Sequence, residues 1–407
     1  MNVVVIGSGP AGLSAAYFAA LAGCRVTVLE QLSAPGMKLL ASGGGKCNVS
    51  NTLQIEEFAR KFGKQWRFLL PSLQKFHGQT LLDFFALHQV ELIADDGFHY
   101  FPRSGKSRDV LNVFLHELPR CGGKILCGKQ VVEIRVRSGM VADVKCSDGS
   151  TYPADRVIIA CGGKSYPALG GTENGYILAE KLGHQISSLY PAMCGIHVAE
   201  KWVHECAGIS LADCQVRIDL PKWRKLPQRG ELLFTHHGFS AFAVLDIAET
   251  VARLKKEMPQ IPLRINFTPD TGHEEWAARF ALWRKTQGTK KVQTLLAGYL
   301  PRKVAAYLLN DPDVIVAHWQ GRDREILLEK LLNCPFSAIG TDSWERAMVT
   351  AGGVSLKDIE PDSMASRLVK GIYFAGEVLD VTGPCGGYNI TWALASGRCA
   401  GEAASQA

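Results

Sequence analysis

Residues Val3-Val4-Val5-Ile6-Gly7-Ser8-Gly9-Pro10-Ala11-Gly12 form an apolar run that breaks directly into glycines spaced Gly-x-Gly-x-x-Gly. Val3–Ile6 is β-branched and apolar, the pattern of a strand buried on both faces. Gly7 permits a tight turn, Gly9 lets the backbone approach a pyrophosphate, and Gly12 lets the next helix pack closely on the strand. That helix, from Pro10 to about Gly23, is rich in small residues (Ala11, Ala15, Ala16, Ala19, Ala20). Its N-terminus offers free N–H groups and positive dipole to a diphosphate. A second strand, Arg25–Leu29, ends in Glu30 and Gln31, and the Glu30 carboxylate stands where an adenosine ribose is held. Strand, glycine turn, helix, strand and acid together predict a dinucleotide-binding βαβ unit.

The rest of the chain selects FAD over NAD. Val157–Ala160 is another buried strand, ending in Cys161-Gly162-Gly163, where glycines let a chain pass beneath a dinucleotide without a side-chain clash. Gly371–Ala375 repeats this logic and runs into Gly376-Glu377. Three such crossings far apart in the chain suit a long cofactor lying across the sheet. Between them, Pro35–Asn48 contains Ser42-Gly43-Gly44-Gly45-Lys46-Cys47-Asn48. Three consecutive glycines carry a high folding entropy, sensible where backbone N–H groups close on a phosphate or a flavin ring. Lys38 and Lys46 flank this loop as phosphate counter-ions. After Glu377, Asp380 leads into Gly386-Gly387-Tyr388-Asn389, a turn that presents a helix N-terminus to the ring. Val131 and Val132 complete the expected cofactor contacts. No second framed Gly-x-Gly-x-x-Gly occurs, so NADH or NADPH is expected only as a diffusible electron donor.

Length and composition set the frame. At 407 residues two domains are expected, and 47% hydrophobic with 21% charged residues excludes a disordered chain. The net charge of +6 is mild. Arg284, Lys285, Lys290, Lys291, Arg302 and Lys303 form a basic stretch read first as a solvated face and second as a contact for an anionic partner. No run approaches ~18 apolar residues, so no membrane span is expected. The glycine motif sits where a signal peptide would need an unbroken apolar run, so a cytoplasmic location is expected. The twelve cysteines are scattered without a Cys-x-x-Cys pair and read as reduced thiols. No His-x-x-x-His spacing suggests a metal site.

Several motifs recur together: Gly7-x-Gly-x-x-Gly12, Ser42–Asn48, Phe101-Pro102-x-Ser104-Gly105-Lys106, Gly230–His236, Thr350–Val354 and Gly371–Asn389. In this combination the chain resembles the bacterial flavoproteins grouped as aminoacetone-oxidase-like or 3-dehydro-bile-acid Δ4,6-reductase-like oxidoreductases. The resemblance implies FAD and a Rossmann-type domain interrupted by a smaller substrate domain. Gly371–Glu377 resembles the second flavin motif of two-dinucleotide-binding flavoproteins, which implies that Glu377 holds the ribityl chain or pyrophosphate. One departure falls at Gly238–Ala243, where Phe-Ser-Ala-Phe follows the glycine in place of the family's Leu-Ser-Gly-Pro.

The expected fold is α/β: a Rossmann-type FAD domain with a β-meander, interrupted by a barrel-like β domain carrying a helical subdomain. Residues 1–192 and 344–407 are assigned to the FAD domain and 193–343 to the insert. Lys124–Cys127, Val131–Val136 and Val141–Cys146 are read as the meander, with Asp148-Gly149 a hairpin signal. Helices are expected within 56–92, at Leu111–Leu118, and at Glu274–Lys285, Thr289–Tyr299 and Arg302–Asn310.

The expected chemistry is hydride exchange between flavin N5 and a small organic substrate held between the domains, with a side chain moving the proton. Reduction of an enone, as in a bile-acid-like 3-oxo compound, and oxidation of an aminoketone or amine both fit. His236 and Tyr166 are the candidate proton donors. A flavin-bearing RNA-binding or tRNA-modifying protein is the competing class, disfavoured by the small net charge and absence of interleaved aromatics. The oligomeric state is left open.

Overall fold

The computed structural model describes residues 1–406, and the chain divides into one unit of Met1–Tyr190 with Val349–Ala407 and a second of Pro191–Met348. In the first unit a five-stranded sheet has the order Ile372–Phe374, Arg156–Ile159, Asn2–Ile6, Arg25–Leu29, Lys124–Leu126. Every pairing in it is parallel. Val3 through Ile6 are all buried, as a strand covered on both faces requires. The helix Pro10–Leu21 starts with proline in its first turn and ends before Gly23 at φ +89°.

Lys124–Leu126 corrects the expected meander: it pairs with Arg25–Leu29 as an edge of the parallel sheet. The meander consists instead of Val131–Arg137, Met140–Cys146 and Thr151–Pro153, all antiparallel. Asp148-Gly149 turns between its last two strands, with Gly149 at φ +85°. A strand of only three residues, Lys-Ile-Leu, carries no mark of its partner, so sequence alone misassigned it.

The C-terminal helix Tyr388–Ala404 lies against Pro10–Leu21 at a separation only small residues allow. A Cβ on Gly397 would fall 2.3 Å from the Ala11 carbonyl oxygen, and one on Gly401 2.3 Å from that of Ala15. Ser14 Oγ donates across this seam to the Leu394 carbonyl at 2.8 Å. Close backbone approach thus fixes where the last helix begins, and hence where its preceding Gly386-Gly387 turn sits.

The second unit is built on a closed six-stranded antiparallel barrel: Ile196–Val198, Gly238–Ser240, Gln228–Phe234, Ser210–Ile218, Ile261–Asn266, Cys334–Thr341. Closure leaves no free sheet edge. Val216, Ile218, Leu232, Phe234, Phe239, Leu263, Ile265 and Phe336 are buried in this unit. Helices His273–Thr286, Val292–Leu296, Arg302–Leu308 and Gly321–Asn333 form the helical part, with Trp276 and Phe280 buried.

Candidate active site

The three glycines of the opening motif play two different parts. A Cβ on Gly7 would meet the Ala160 carbonyl oxygen at 2.5 Å, and one on Gly12 would meet the Gly7 oxygen at 2.0 Å. Both positions are closed by the fold itself. Gly9 is the exception: a Cβ there would meet nothing within 4 Å. It is also the cap of helix Pro10–Leu21 and offers no side-chain hydrogen bond to the first-turn N–H groups. A bare helix start facing open space fits a diphosphate.

Glu30 is buried and accepts from Ser8 N at 2.9 Å, from the Ser8 hydroxyl, and from Leu32 N at 2.8 Å. It ties the end of the second strand to the glycine turn. Gln31 donates from its amide to the Gly170 carbonyl at 2.8 Å, and the Val131 carbonyl accepts from Asn174 at 2.9 Å. Val132 begins the meander beside it, its carbonyl within 3.5 Å of Lys181 Nζ.

Lys38 does not stand free beside the glycine loop. Its ammonium donates to the Glu377 carboxylate at 2.9 Å and to Ser165 Oγ at 2.7 Å. Glu377 also accepts from Thr350 N at 2.8 Å, while Thr350 Oγ1 accepts from Lys164 N at 2.8 Å and Ser165 N at 3.1 Å. Four chain segments meet here, and Gly163 is why they can. A Cβ on it would lie 2.5 Å from Thr350 Oγ1 and 2.7 Å from Glu377 Oε1. Ala160 and Cys161 precede this crossing. Gly376 would place a Cβ 2.6 Å from that of Ala11, so the glycine turn and the Glu377 segment pack directly together.

The second glycine loop forms a separate wall of the same unit. Gly43, Gly44 and Gly45 adopt positive φ, as does Cys47 at +61°. A Cβ would meet nothing within 4 Å at Gly44 or Gly45, whereas at Gly43 it would meet Asn48 N at 2.9 Å and the Phe101 ring at 3.4 Å. Ser42 Oγ donates to the Leu39 carbonyl at 2.7 Å. With its amide oriented to satisfy its neighbours, Asn48 donates to the Ser50 carbonyl at 2.8 Å and accepts from Gly387 N at 3.2 Å. Strand Ser50–Asn51 pairs with His99–Pro102, and Asn51 Nδ2 donates to the Gly386 carbonyl at 2.8 Å. Asn389 folds back on Gly383, accepting from its N and donating to its carbonyl, both at 2.9 Å. Gly387 is at φ +84°, and a Cβ there would lie 2.6 Å from the Ser50 carbonyl oxygen. Tyr388 is buried beside Phe58, and Asp380 N donates to the Val354 carbonyl.

The proton-donor candidates belong to different units. Tyr166 lies in the first unit, in a left-handed conformation (φ +54°) just after the Gly162-Gly163 crossing. His236 is exposed on the barrel, in the turn between Gln228–Phe234 and Gly238–Ser240. Burial drives the Cys47 and Cys161 thiols up to about 12, so neither is a ready thiolate. Among the described residues no cluster of His, Cys, Asp and Glu is arranged to hold a metal, and no helix is long and apolar enough to cross a membrane.

Two histidine–carboxylate pairs escaped the sequence reading. His99 Nδ1 lies 2.6 Å from Asp96 Oδ2 in the first unit, and His197 Nε2 lies 2.9 Å from Asp342 Oδ1 in the barrel. The hydrogen bond from His197 holds the Asp342 carboxyl below its ordinary range. The Asp96–His99 spacing of three residues was the available signal; a turn that folds the two together was not foreseen.

The chain matches the family model described as HI0933-like protein Rossmann domain over residues 1–403. It is 32% identical to a 3-dehydro-bile acid delta(4,6)-reductase of Clostridium scindens, covering 100% of this chain and 99% of that protein. It is 29% identical to a ribosomal RNA dihydrouridine synthase of Escherichia coli, covering 97% of this chain and 96% of that one. Among solved structures, 3-ketosteroid-delta4-(5alpha)-dehydrogenase from Rhodococcus jostii, in complex with 4-androstene-3,17-dione, superposes with a TM-score of 0.53 at 16% identity. That match covers 100% of this chain and 96% of that one and bears on the fold. The chain therefore belongs to the HI0933-like family and is an FAD-dependent oxidoreductase of that family.

Proposed function

We propose that this protein reduces a carbon–carbon double bond conjugated to a carbonyl, with a 3-oxo steroid of bile-acid type as the leading substrate class. The observation that carries this reading is the similarity to the C. scindens reductase across 100% of this chain and 99% of that protein. A rRNA dihydrouridine synthase fits the same reaction class: dihydrouridine is uridine reduced at a double bond conjugated to a ring carbonyl. Both relatives' names thus point to one kind of bond.

The first unit supplies the cradle. Gly7, Ser8, Gly9, Pro10, Ala11 and Gly12 would take the diphosphate, Glu30 the adenosine ribose, and Glu377 the ribityl side. The loops Ser42–Asn48 and Gly386–Asn389 would enclose the ring. FAD, bound and reduced, supplies a hydride equivalent to such a bond. The protein's part is to exclude water, orient the carbonyl and deliver a proton to the α-carbon. NADH or NADPH is proposed as the diffusible reductant, because the chain has no second framed glycine motif.

A uracil in RNA is the second reading, favoured by the E. coli relative and by exposed Arg284, Lys285, Lys290, Lys291, Arg302 and Lys303. Some of this charge is already engaged: Lys291 pairs with Asp313 at 2.6 Å, and Lys303 donates to the Glu205 carbonyl. Anaerobic mixing of the reduced protein with a 3-oxo-4,6-diene steroid or unmodified rRNA, and of the oxidised protein with an aminoketone, separates these readings. Flavin reoxidation by the steroid supports the first. Reoxidation by rRNA alone replaces it with the second.

A further inference from the structure

Gly386, in the turn before the last helix, is surrounded by the nearby Tyr388 ring and by two rings from the Phe98-His99 segment. A Cβ on it would lie 3.2 Å from the Tyr388 ring, 3.5 Å from His99 Nε2 and 3.7 Å from the Phe98 ring. His99 is therefore aimed at the turn by its Nε2, the nitrogen left after Nδ1 engages Asp96 at 2.6 Å. The loop is stiff. Asp96 Oδ1 accepts from both Phe98 N and His99 N at 2.8 Å, and His99 pairs in register with Asn51, whose amide holds the Gly386 carbonyl. The His99 side chain is 27% exposed, so protons can reach it from solvent.

We propose that Asp96 and His99 form an oriented proton-transfer pair for the flavin site, with His99 Nε2 the atom that gives up the proton at the Gly386–Gly387 turn. The proposal rests on the double-bond reduction assigned above. Asp96 engages Nδ1, which leaves Nε2 as the nitrogen placed to hand on a proton. Hydrogen bonds from the His99 ring and from the His99 and Phe98 N–H groups hold the Asp96 carboxyl down at about 2, so it stays ionised as the partner of Nδ1. In the reaction a hydride bonds to the β-carbon, the π pair closes onto the α-carbon, and the α-carbon takes the proton from Nε2. The imidazole is left neutral with Nδ1–H still on Asp96, and solvent restores the proton. The other titratable groups at this turn are Tyr388, which faces His99 across Gly386, and the adjacent Cys385 thiol.

The test uses FAD-loaded wild type, His99→Gln and Asp96→Asn, with the second variant covering any failure of the first to fold. Two readouts are needed. The visible spectrum of bound oxidised FAD, followed from about pH 5 to 9, should show a one-proton change in wild type that His99→Gln lacks. Reoxidation of the reduced protein by a conjugated enone should fall about a hundredfold in His99→Gln and roughly tenfold in Asp96→Asn, the usual scale of general acid catalysis. Reoxidation by ferricyanide, which needs no carbon protonation, should stay within about twofold. An identical spectral titration in His99→Gln, or an unchanged enone rate, overturns the proposal. If wild type reacts with no conjugated substrate, the proposed function falls, and the spectral titration still decides whether His99 faces the cofactor.

Discussion

The Lys38 ammonium lies 2.9 Å from the Glu377 carboxylate, joining residues 339 positions apart in sequence. The pair bridges the two chain segments of the first unit, which are separated by the whole inserted barrel. Lys38, read from sequence as a phosphate counter-ion, has its charge committed to positioning a carboxylate.

Lys38→Met should therefore loosen the cradle. Hydrogen bonds to charged groups contribute about 1.5–3 kcal/mol, and partial exposure of the pair (29% and 21%) puts this one at the low end. A drop in Tm of roughly 3–6 °C is expected for a unit of this size, together with faster FAD loss on dialysis. Unchanged melting and unchanged retention would show the pair to be ornamental.

Glu30→Ala should weaken FAD binding at least about tenfold. The carboxylate now organises Ser8 and Leu32, and in the holoprotein it would accept the ribose hydroxyls. Equilibrium dialysis against free FAD measures the change; equal affinity would displace the adenosine from this end of the sheet.

Gly387 and Gly44 both have positive φ but differ in surroundings. Alanine at either position carries a left-handed backbone cost of about 1–2 kcal/mol. At position 387 the new methyl also strikes the Ser50 carbonyl region, whereas at 44 it meets nothing within 4 Å. Gly387→Ala should thus lower Tm distinctly more than Gly44→Ala in the cofactor-free protein. Equal losses would mean the turn can shift away from Ser50.

Acid should destabilise the first unit through His77. Its ring is buried beside Phe58, neither nitrogen has a hydrogen-bond partner among the described residues, and burial lowers its pKa to about 4. The unfolded chain takes up this proton near pH 6.5, the folded one only near 4, so stability is full above about 6.5 and drains away as pH falls between those values. His77→Phe should flatten the Tm-against-pH curve across that window relative to wild type. Parallel curves would remove His77 as the cause.

The cofactor half of the molecule was legible because its constraints are local. Val3–Ile6, Gly7, Gly9, Gly12 and Glu30 declare a βαβ unit within one short stretch, and Gly163 and Gly376 mark close approaches that forbid side chains. The HI0933-like membership and the α/β fold with a barrel agree with that reading. What stayed hidden depends on distant partners. Lys124–Leu126 reads alike in a meander or a parallel edge. The short strand Gly238–Ser240 and the long strand Cys334–Thr341 become strands only through barrel closure. Asp96 and His99 gain meaning only once Asn51 brings the Gly386 turn beside them.

The central claim is a reductase whose bound FAD acts on a conjugated carbon–carbon double bond. Its most direct test is an anaerobic half-reaction: reduce the purified protein with one equivalent of NADPH or dithionite, mix with a 3-oxo-4,6-diene steroid, and follow flavin absorbance and product together. The oxidised flavin spectrum should return as one equivalent of substrate loses one double bond. A flavin that stays reduced with such substrates and reoxidises only when oxygen or rRNA is admitted would contradict it.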